Sequence, residues 1–275
     1  DYTMNLYRGC CHGCIYCDSR SECYRIEEFD TVRVKEDALR LVRDDLRRKV
    51  KPGVVATGAM SDPYNPFEKR YEYTRNALEL LNAFEFGVFI TTKSDLIVRD
   101  ADILRDIRRH SPVLCMLTVT AAQDSLCEKV EPNVAVSSRR FEAIRQLRAA
   151  GIPTGVMLMP VLPFLEDTQE NIRGILQAAA QSGANYVYPA FGMTLRGSQR
   201  EWYYQKLEEQ FPGQGLAQRY RSRYGERYSC TSPKARELWG FFTELADSLG
   251  LLYRMPDIVN SYRMGYDTPM QLRLY

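Results

Sequence analysis

Five of the chain's eight cysteines, Cys10, Cys11, Cys14, Cys17 and Cys23, fall within fourteen residues, whereas Cys115, Cys127 and Cys230 lie far apart. The spacing Cys10-x3-Cys14-x2-Cys17 puts three thiols on one short loop. Soft sulfur donors at that density suit an iron–sulfur cluster or zinc. Three protein ligands would leave one iron of a four-iron cluster open, and an open metal position marks a reacting site. The structural alternative is a zinc ion held by four of the five, for instance Cys11, Cys14, Cys17 and Cys23, although zinc scaffolds usually draw on two separated pairs. A disulfide framework is not expected, because 275 residues can build a core without staples and no signal-peptide pattern is visible. With only His12 and His110, the chain has little room for histidine-rich zinc catalysis or for a triad that needs a spare histidine.

The elements around this loop must position it. Leu39, Val42 and Leu46 mark an amphipathic helix over about residues 36–50, and the apolar stretch 54–59 reads as a buried strand. Ala77, Leu80, Leu81 and Phe84 recur at helical spacing, 88–92 reads as a strand, and Ile97, Ala101 and Leu104 mark a further helix. The pattern repeats as strand 113–120, helix 138–150 closed by Gly151, and strand 154–160. A helix through Ile172, Ile175, Leu176 and Ala179 then stops at Gly183, strand 185–190 follows, and the last helix is expected over about 233–249.

Alternation of this kind means βα units on a parallel sheet. Counting the segment before Cys10 as a strand gives six units, short of the eight units and roughly 250 residues of a closed barrel. The predicted fold class is α/β: a partial (β/α)6 TIM-like barrel over 1–192 with a mainly helical C-terminal extension over 193–275. A doubly wound sheet is the alternative, but the glycine-rich phosphate loop expected after its first strand is missing.

Composition sets the outer bounds. A chain that is 45% hydrophobic and 26% charged is globular, not disordered or coiled coil. Lys+Arg 37 against Asp+Glu 35 leaves a net charge of +2, so bulk charge predicts no nucleic-acid affinity. The longest apolar run, 156–165, is broken by Pro160 and Pro163 and falls short of the ~20 residues of a membrane span. No membrane partner and a cytoplasmic location are therefore expected. Residues 193–228 stand out locally, because Arg196, Arg200, Lys206, Arg219, Arg221 and Arg223 interleave there with Trp202, Tyr203, Tyr204, Tyr220, Tyr224 and Tyr228, without a single Asp. Such a stretch could neutralise phosphates and stack bases. It equally fits two solvated helices whose aromatics pack on the barrel, or a surface for a peptide or protein.

The cysteine spacing, with Tyr16 just before the last cysteine, resembles the radical S-adenosylmethionine (radical SAM) signature. The longer string Asn5-Leu-Tyr-Arg-Gly-Cys10-Cys-His-Gly-Cys14-Ile-Tyr-Cys17 is similar to the spore photoproduct lyase-like branch of that superfamily, in particular to the mobile paired radical SAM proteins. The resemblance implies a [4Fe-4S] cluster on Cys10, Cys14 and Cys17, with S-adenosyl-L-methionine chelating the open iron. Electron transfer then cleaves the sulfonium to methionine and a 5′-deoxyadenosyl radical. Further implied contacts to the cofactor are Tyr16, Ser61 and Asp62 beside the methionine moiety, Lys93 on its carboxylate, and Thr118 in place of a family serine. Glu131 with Arg140 matches a family pattern for an ion pair supporting the site, and Cys115 is expected to face away as core. An electron donor such as a flavodoxin or ferredoxin and a paired radical SAM protein are the implied protein partners.

One departure bears on the substrate. Ala59 stands where the lyase carries a hydrogen-donating cysteine, two residues before its Ser-Asp pair, so repair of the spore thymine dimer by that route is not expected. Cys127 and Cys230 are the candidate replacements. The expected function is a radical SAM enzyme acting on nucleic acid or a nucleotide, in repair or modification. The alternatives are radical modification of a peptide or protein and, outside enzymology, a zinc-stabilised nucleic-acid-binding module.

Overall fold

The computed structural model describes residues 1–49 and 51–266. Within them lie the strands β1 (Tyr2–Thr3), β2 (Tyr7–Arg8), β3 (Arg33–Val34), β4 (Val54–Thr57), β5 (Gly87–Thr92), β6 (Val113–Thr118), β7 (Thr154–Leu158), β8 (Tyr186–Pro189), β9 (Gly192–Thr194) and β10 (Ser229–Thr231). Every residue of β6 and β7 is buried, as strands covered on both faces require. One sheet runs in the order β1-β4-β5-β6-β7-β8 with every neighbouring pair parallel. Its helical crossovers make it the six-stranded partial barrel expected from the sequence.

The pleat sends alternate side chains to opposite faces. Val88, Ile90, Cys115, Leu117, Val156 and Val187 point outward into one core with Leu78, Leu81, Ile144 and Ile175 of the surrounding helices. Leu114, Met116 and Met157 point inward, where the helix Met255–Arg263 lays Ile258 and Tyr262 against them and against Val54 and Tyr186. Because Val54 and Tyr186 begin their strands, this helix closes the interior from the N-terminal end of the sheet. It was not anticipated: the expected last helix is present as Ala235–Ser248, but another follows, with only Ile258 and Tyr262 buried and hence too few anchors for a periodic signal.

A second apolar cluster corrects one expectation. Cys14, Ile15 and Tyr16 of the cysteine loop pack with Tyr203, Tyr204 and Leu207 of helix Gly197–Gln210 and with Tyr220 and Tyr224 of helix Leu216–Tyr224. Tyr203 OH donates to Tyr220 OH (2.9 Å), which donates to the Pro163 carbonyl (2.8 Å). Arg200 is buried as well, donating to the carbonyls of Gly225, Leu195 and Arg227 at 2.5, 3.1 and 2.9 Å. These tyrosines and Arg200 are therefore core, not a base-stacking surface. Arg219, Arg221, Arg223, Arg227 and Tyr228 are exposed. Among the described residues no helix is long and apolar enough to cross a membrane.

Candidate cofactor site

The cysteine loop is entered through Gly9, whose φ of +78° and whose approach to the Thr31 and Phe29 carbonyls leave no room for a Cβ. The Cys10 amide donates to Phe29 O (2.8 Å) and that of Ile15 to Val130 O (3.0 Å), fixing both ends of the loop. All the cysteines are free thiols; Cys10 and Cys14 are buried, Cys17 and Cys11 half-buried, and Cys23 exposed.

After β4 the chain turns at Gly58, with φ +99°, so close to the Thr91 carbonyl of β5 that a Cβ would collide with it. The turn delivers Ser61 and Asp62 to the cysteine loop. Ser61 Oγ donates to Gly9 O (2.5 Å). Asp62 Oδ1 accepts from Tyr64 N (2.9 Å) and Thr92 Oγ1 (2.6 Å), and its Oδ2 accepts from Lys93 N (2.8 Å). Buried His12 sets Nδ1 3.6 Å from the same Oδ2. Burial alone would lower the His12 pKa, but the Asp62 carboxylate and a hydrogen bond with Cys10 raise it above its ordinary value. With most of its lone pairs in use, Asp62 ties the ends of β4 and β5 to the loop.

A buried ionic chain backs the loop on the other side. Tyr16 OH donates to Glu131 Oε1. Glu131 Oε2 pairs with Arg140 Nη1 at 2.6 Å and lies 3.6 Å from Cys127 Sγ. Arg140, fully buried, also donates to the carbonyls of Ala135 (2.6 Å) and Thr118 (2.7 Å). Burial would raise the Glu131 pKa, but Arg140 and then Lys93 hold it below the usual carboxylate value. Lys93 is the converse: burial would depress it, whereas Cys14 and Glu131 hold it above the ordinary lysine value. Its Nζ lies 5.7 Å from the centre of the Tyr16 ring.

The loop opens on a cavity of about 490 Å³, lined by Tyr16, Cys17, Ala59, Met159, Phe191 and Thr194 among others. Ala59, Met159 and Phe191 follow the C-terminal ends of β4, β7 and β8, the end of a βα barrel where active sites form. The size falls within the roughly 300–1,000 Å³ of small-molecule sites. Of the expected site residues Tyr16 and Cys17 line this cavity, whereas Cys10, Cys14, Ser61, Asp62, Lys93 and Thr118 do not. Ser61 bonds to the cysteine loop and Asp62 to the Lys93 amide, and Tyr16 is joined to the Thr118 carbonyl through Glu131 and Arg140. Neither Cys127 nor Cys230 lines the cavity: the first is buried beside Arg140 and the second in the tyrosine cluster. His12 was not singled out from the sequence, nor was Glu166, a buried acid beside Thr120. His12 stands inside the cysteine motif and was readable there, but nothing local marks Glu166.

The donor set fits an iron–sulfur cluster better than zinc. Three free thiols share one loop, with a lysine cation near Cys14 to offset thiolate charge. A cluster spreads its ligands over several irons, which suits three cysteines at this spacing, whereas a structural zinc draws four donors to one ion.

A family model, that of the radical SAM superfamily, matches residues 4–176. An uncharacterized protein of Mycobacterium tuberculosis is 32% identical over 273 residues, covering 97% of this chain and 76% of its own length. One of Methanocaldococcus jannaschii is 29% identical over 214 residues, 77% of this chain and 76% of its own. Among solved structures, a spore photoproduct lyase mutant with bound AdoMet and dinucleoside spore photoproduct matches with a TM-score of 0.66 at 16% identity, covering 90% of this chain and 74% of that one. At that identity the likeness is one of fold.

Proposed function

The chain belongs to the radical SAM superfamily, and we propose that this enzyme cleaves S-adenosylmethionine reductively at a [4Fe-4S] cluster and modifies a nucleic acid or nucleotide. The observation that carries the proposal is the cavity walled by Tyr16 and Cys17 at the C-terminal end of the parallel sheet. When bound, the cluster would supply the electron for cleavage of the cofactor's sulfonium bond, and the cavity would hold the substrate beside it. Cys10, Cys14 and Cys17 would hold the cluster. Lys93 would bind the cofactor's carboxylate, while Ser61 and Thr118 flank it and Tyr16 forms the wall. Asp62, its oxygens already engaged, fixes Lys93 and the loop. The reductant would be an external one-electron carrier such as a flavodoxin or ferredoxin.

The nucleic-acid reading draws on the dinucleoside bound by a protein of the same fold. Ala59 supports modification over dimer repair, since no cysteine other than Cys17 lines the cavity to return a hydrogen atom. The test is anaerobic reconstitution with iron and sulfide, then dithionite and S-adenosylmethionine, with 5′-deoxyadenosine assayed in the presence of oligonucleotides or peptides. Product that vanishes in Cys14→Ala and rises with oligonucleotide supports the proposal. A rise with peptide alone would replace the substrate class, and bound zinc without cofactor cleavage would overturn the chemistry.

A further inference from the structure

Asp18 follows Cys17 and opens the single-turn 3-10 helix Asp18–Arg20. In that turn the Arg20 amide donates back to the Cys17 carbonyl (3.3 Å) and the Ser21 amide to the Asp18 carbonyl (2.9 Å), so the turn and the Cys17 backbone are held together. Residues from the far end of the sequence grip this turn. Thr194 Oγ1 donates to Asp18 Oδ1 (2.9 Å). Arg196 clamps the same carboxylate with both arms of its guanidinium, Nε to Oδ1 at 3.1 Å and Nη2 to Oδ2 at 2.8 Å. Gln199 Nε2 donates to the Tyr16 carbonyl (3.2 Å), and the Arg20 guanidinium lies 3.9 Å from the centre of the Trp202 ring. Nearer in sequence, Tyr24 OH (3.0 Å, to Asp18), the Arg20–Asp30 pair and the Phe29 ring under the Arg20 guanidinium (4.9 Å) add to the hold.

Arg196 is itself fixed. Its Nη2 also donates to Tyr228 OH (2.7 Å), its backbone N–H to Gln199 Oε1 (3.1 Å), and its guanidinium lies over the Tyr228 ring at 4.5 Å. A forked guanidinium on a carboxylate sets orientation as well as distance, which a lysine cannot do. The carboxylate it neutralises sits one residue from a thiol that must carry negative charge to bind metal. The clamp therefore removes a repulsion and fixes the backbone next to Cys17 with one set of contacts.

We propose that Thr194, Arg196 and Gln199 are positioning residues for the cluster: they hold the Asp18–Arg20 turn, and with it the adjoining Cys17, in place. This rests on the cluster assignment above and extends it. The C-terminal extension is then a working part of the metal site, not an appended substrate module. Net charge beside a cluster is one of the terms that set reduction potential, and loss of outer-shell partners typically lowers metal affinity about 10–100-fold.

The experiment compares wild type, Arg196→Gln, Arg196→Lys and Thr194→Val as full chains, reconstituted anaerobically. It reads iron loss to a chelator and the cluster potential by an EPR-monitored redox titration. Arg196→Gln is expected to lose iron about tenfold faster, with a more negative potential. Arg196→Lys should fall between it and wild type, and Thr194→Val should show a smaller shift of the same sign. Thr194→Val removes one hydroxyl at nearly constant shape, so it decides the matter if Arg196→Gln does not fold. Folded variants with wild-type iron retention and potential would overturn the proposal. A wild-type chain that assembles no cluster would instead overturn the functional reading beneath it.

Discussion

Glu166 offers the sharpest physical test of the site's surroundings. Its side chain is fully buried, with Oε1 accepting from Thr120 Oγ1 (2.8 Å) and Oε2 from Leu162 N (2.8 Å). Among the described residues no Lys, Arg or His pairs with it. Burial dominates, joined by repulsion from Glu131 and Asp167, and the two hydrogen bonds offset it only in part; the pKa is pushed up from 4.5 to about 8. Between those values the folded chain carries a proton that the unfolded chain has released. Stability must then fall as pH rises, by about 1.4 kcal/mol per pH unit from this group.

Glu166→Gln removes the titration while keeping both partners, its oxygen accepting from Leu162 N and its amide facing Thr120 Oγ1. From pH 5.5 to 8.0, the stability of Glu166→Gln relative to wild type should therefore rise by about 3 kcal/mol. Urea unfolding of the reduced apo chain, followed by circular dichroism at four or five pH values, measures this. The difference between the two proteins cancels every other titrating group. A difference independent of pH within about 0.5 kcal/mol would refute the reasoning, because it would mean that Glu166 is ionised in the folded state at ordinary cost.

Four further perturbations probe the other parts. Arg140→Met breaks a buried ion pair and strands the Thr118 and Ala135 carbonyls, so it should cost about 3–5 kcal/mol of unfolding free energy. Because Glu131 is held below the ordinary value of 4.5, its contribution is present above that pH and lost as pH falls through the folded value; Glu131→Gln should flatten the acid limb of the stability curve below about pH 4.5. Gly58→Ala must clear the Thr91 carbonyl at a φ of +99°, and should lower the melting temperature and weaken S-adenosylmethionine binding measured by calorimetry. Neutralising the exposed Arg219, Arg221 and Arg223 together should weaken oligonucleotide binding and reduce the slope of log K against log salt by up to about 3, read by anisotropy across a salt series.

What the sequence revealed, and what it concealed, divides by the range of the interactions involved. The proposed cluster ligands Cys10, Cys14 and Cys17 lie within eight residues, so the reading rests on their spacing and survives any error about the fold. The strands β4 to β8 were readable because each is a short, mostly buried run flanked by glycine or proline. By contrast β1, two residues long and not buried, was counted only from its place before the cysteine loop. The Met255–Arg263 helix was not, because it serves the barrel interior with two side chains only. Nor was the clamp on Asp18, whose halves are 178 residues apart in sequence. No local pattern distinguishes an arginine that will find a carboxylate at that distance from one that will stay in water.

The basic aromatic stretch shows the same limit from the other side. A helix that lies half on the surface needs an apolar stripe and a charged one, and Tyr with Arg satisfies both demands. Tyr places a ring in the core and a hydroxyl at a carbonyl, as Tyr220 does at Pro163 O. Arg lays its stem along the same boundary and keeps its charge outside or, like Arg200, satisfies it on carbonyls. A nucleic-acid groove would be written with the same two residue types. The readings part only on which aromatics remain exposed, and in helices Gly197–Gln210 and Leu216–Tyr224 the tyrosines do not. Contact with nucleic acid at this end of the molecule would then rest on the exposed Arg219, Arg221 and Arg223, with Tyr228 the one tyrosine of the stretch that stays exposed.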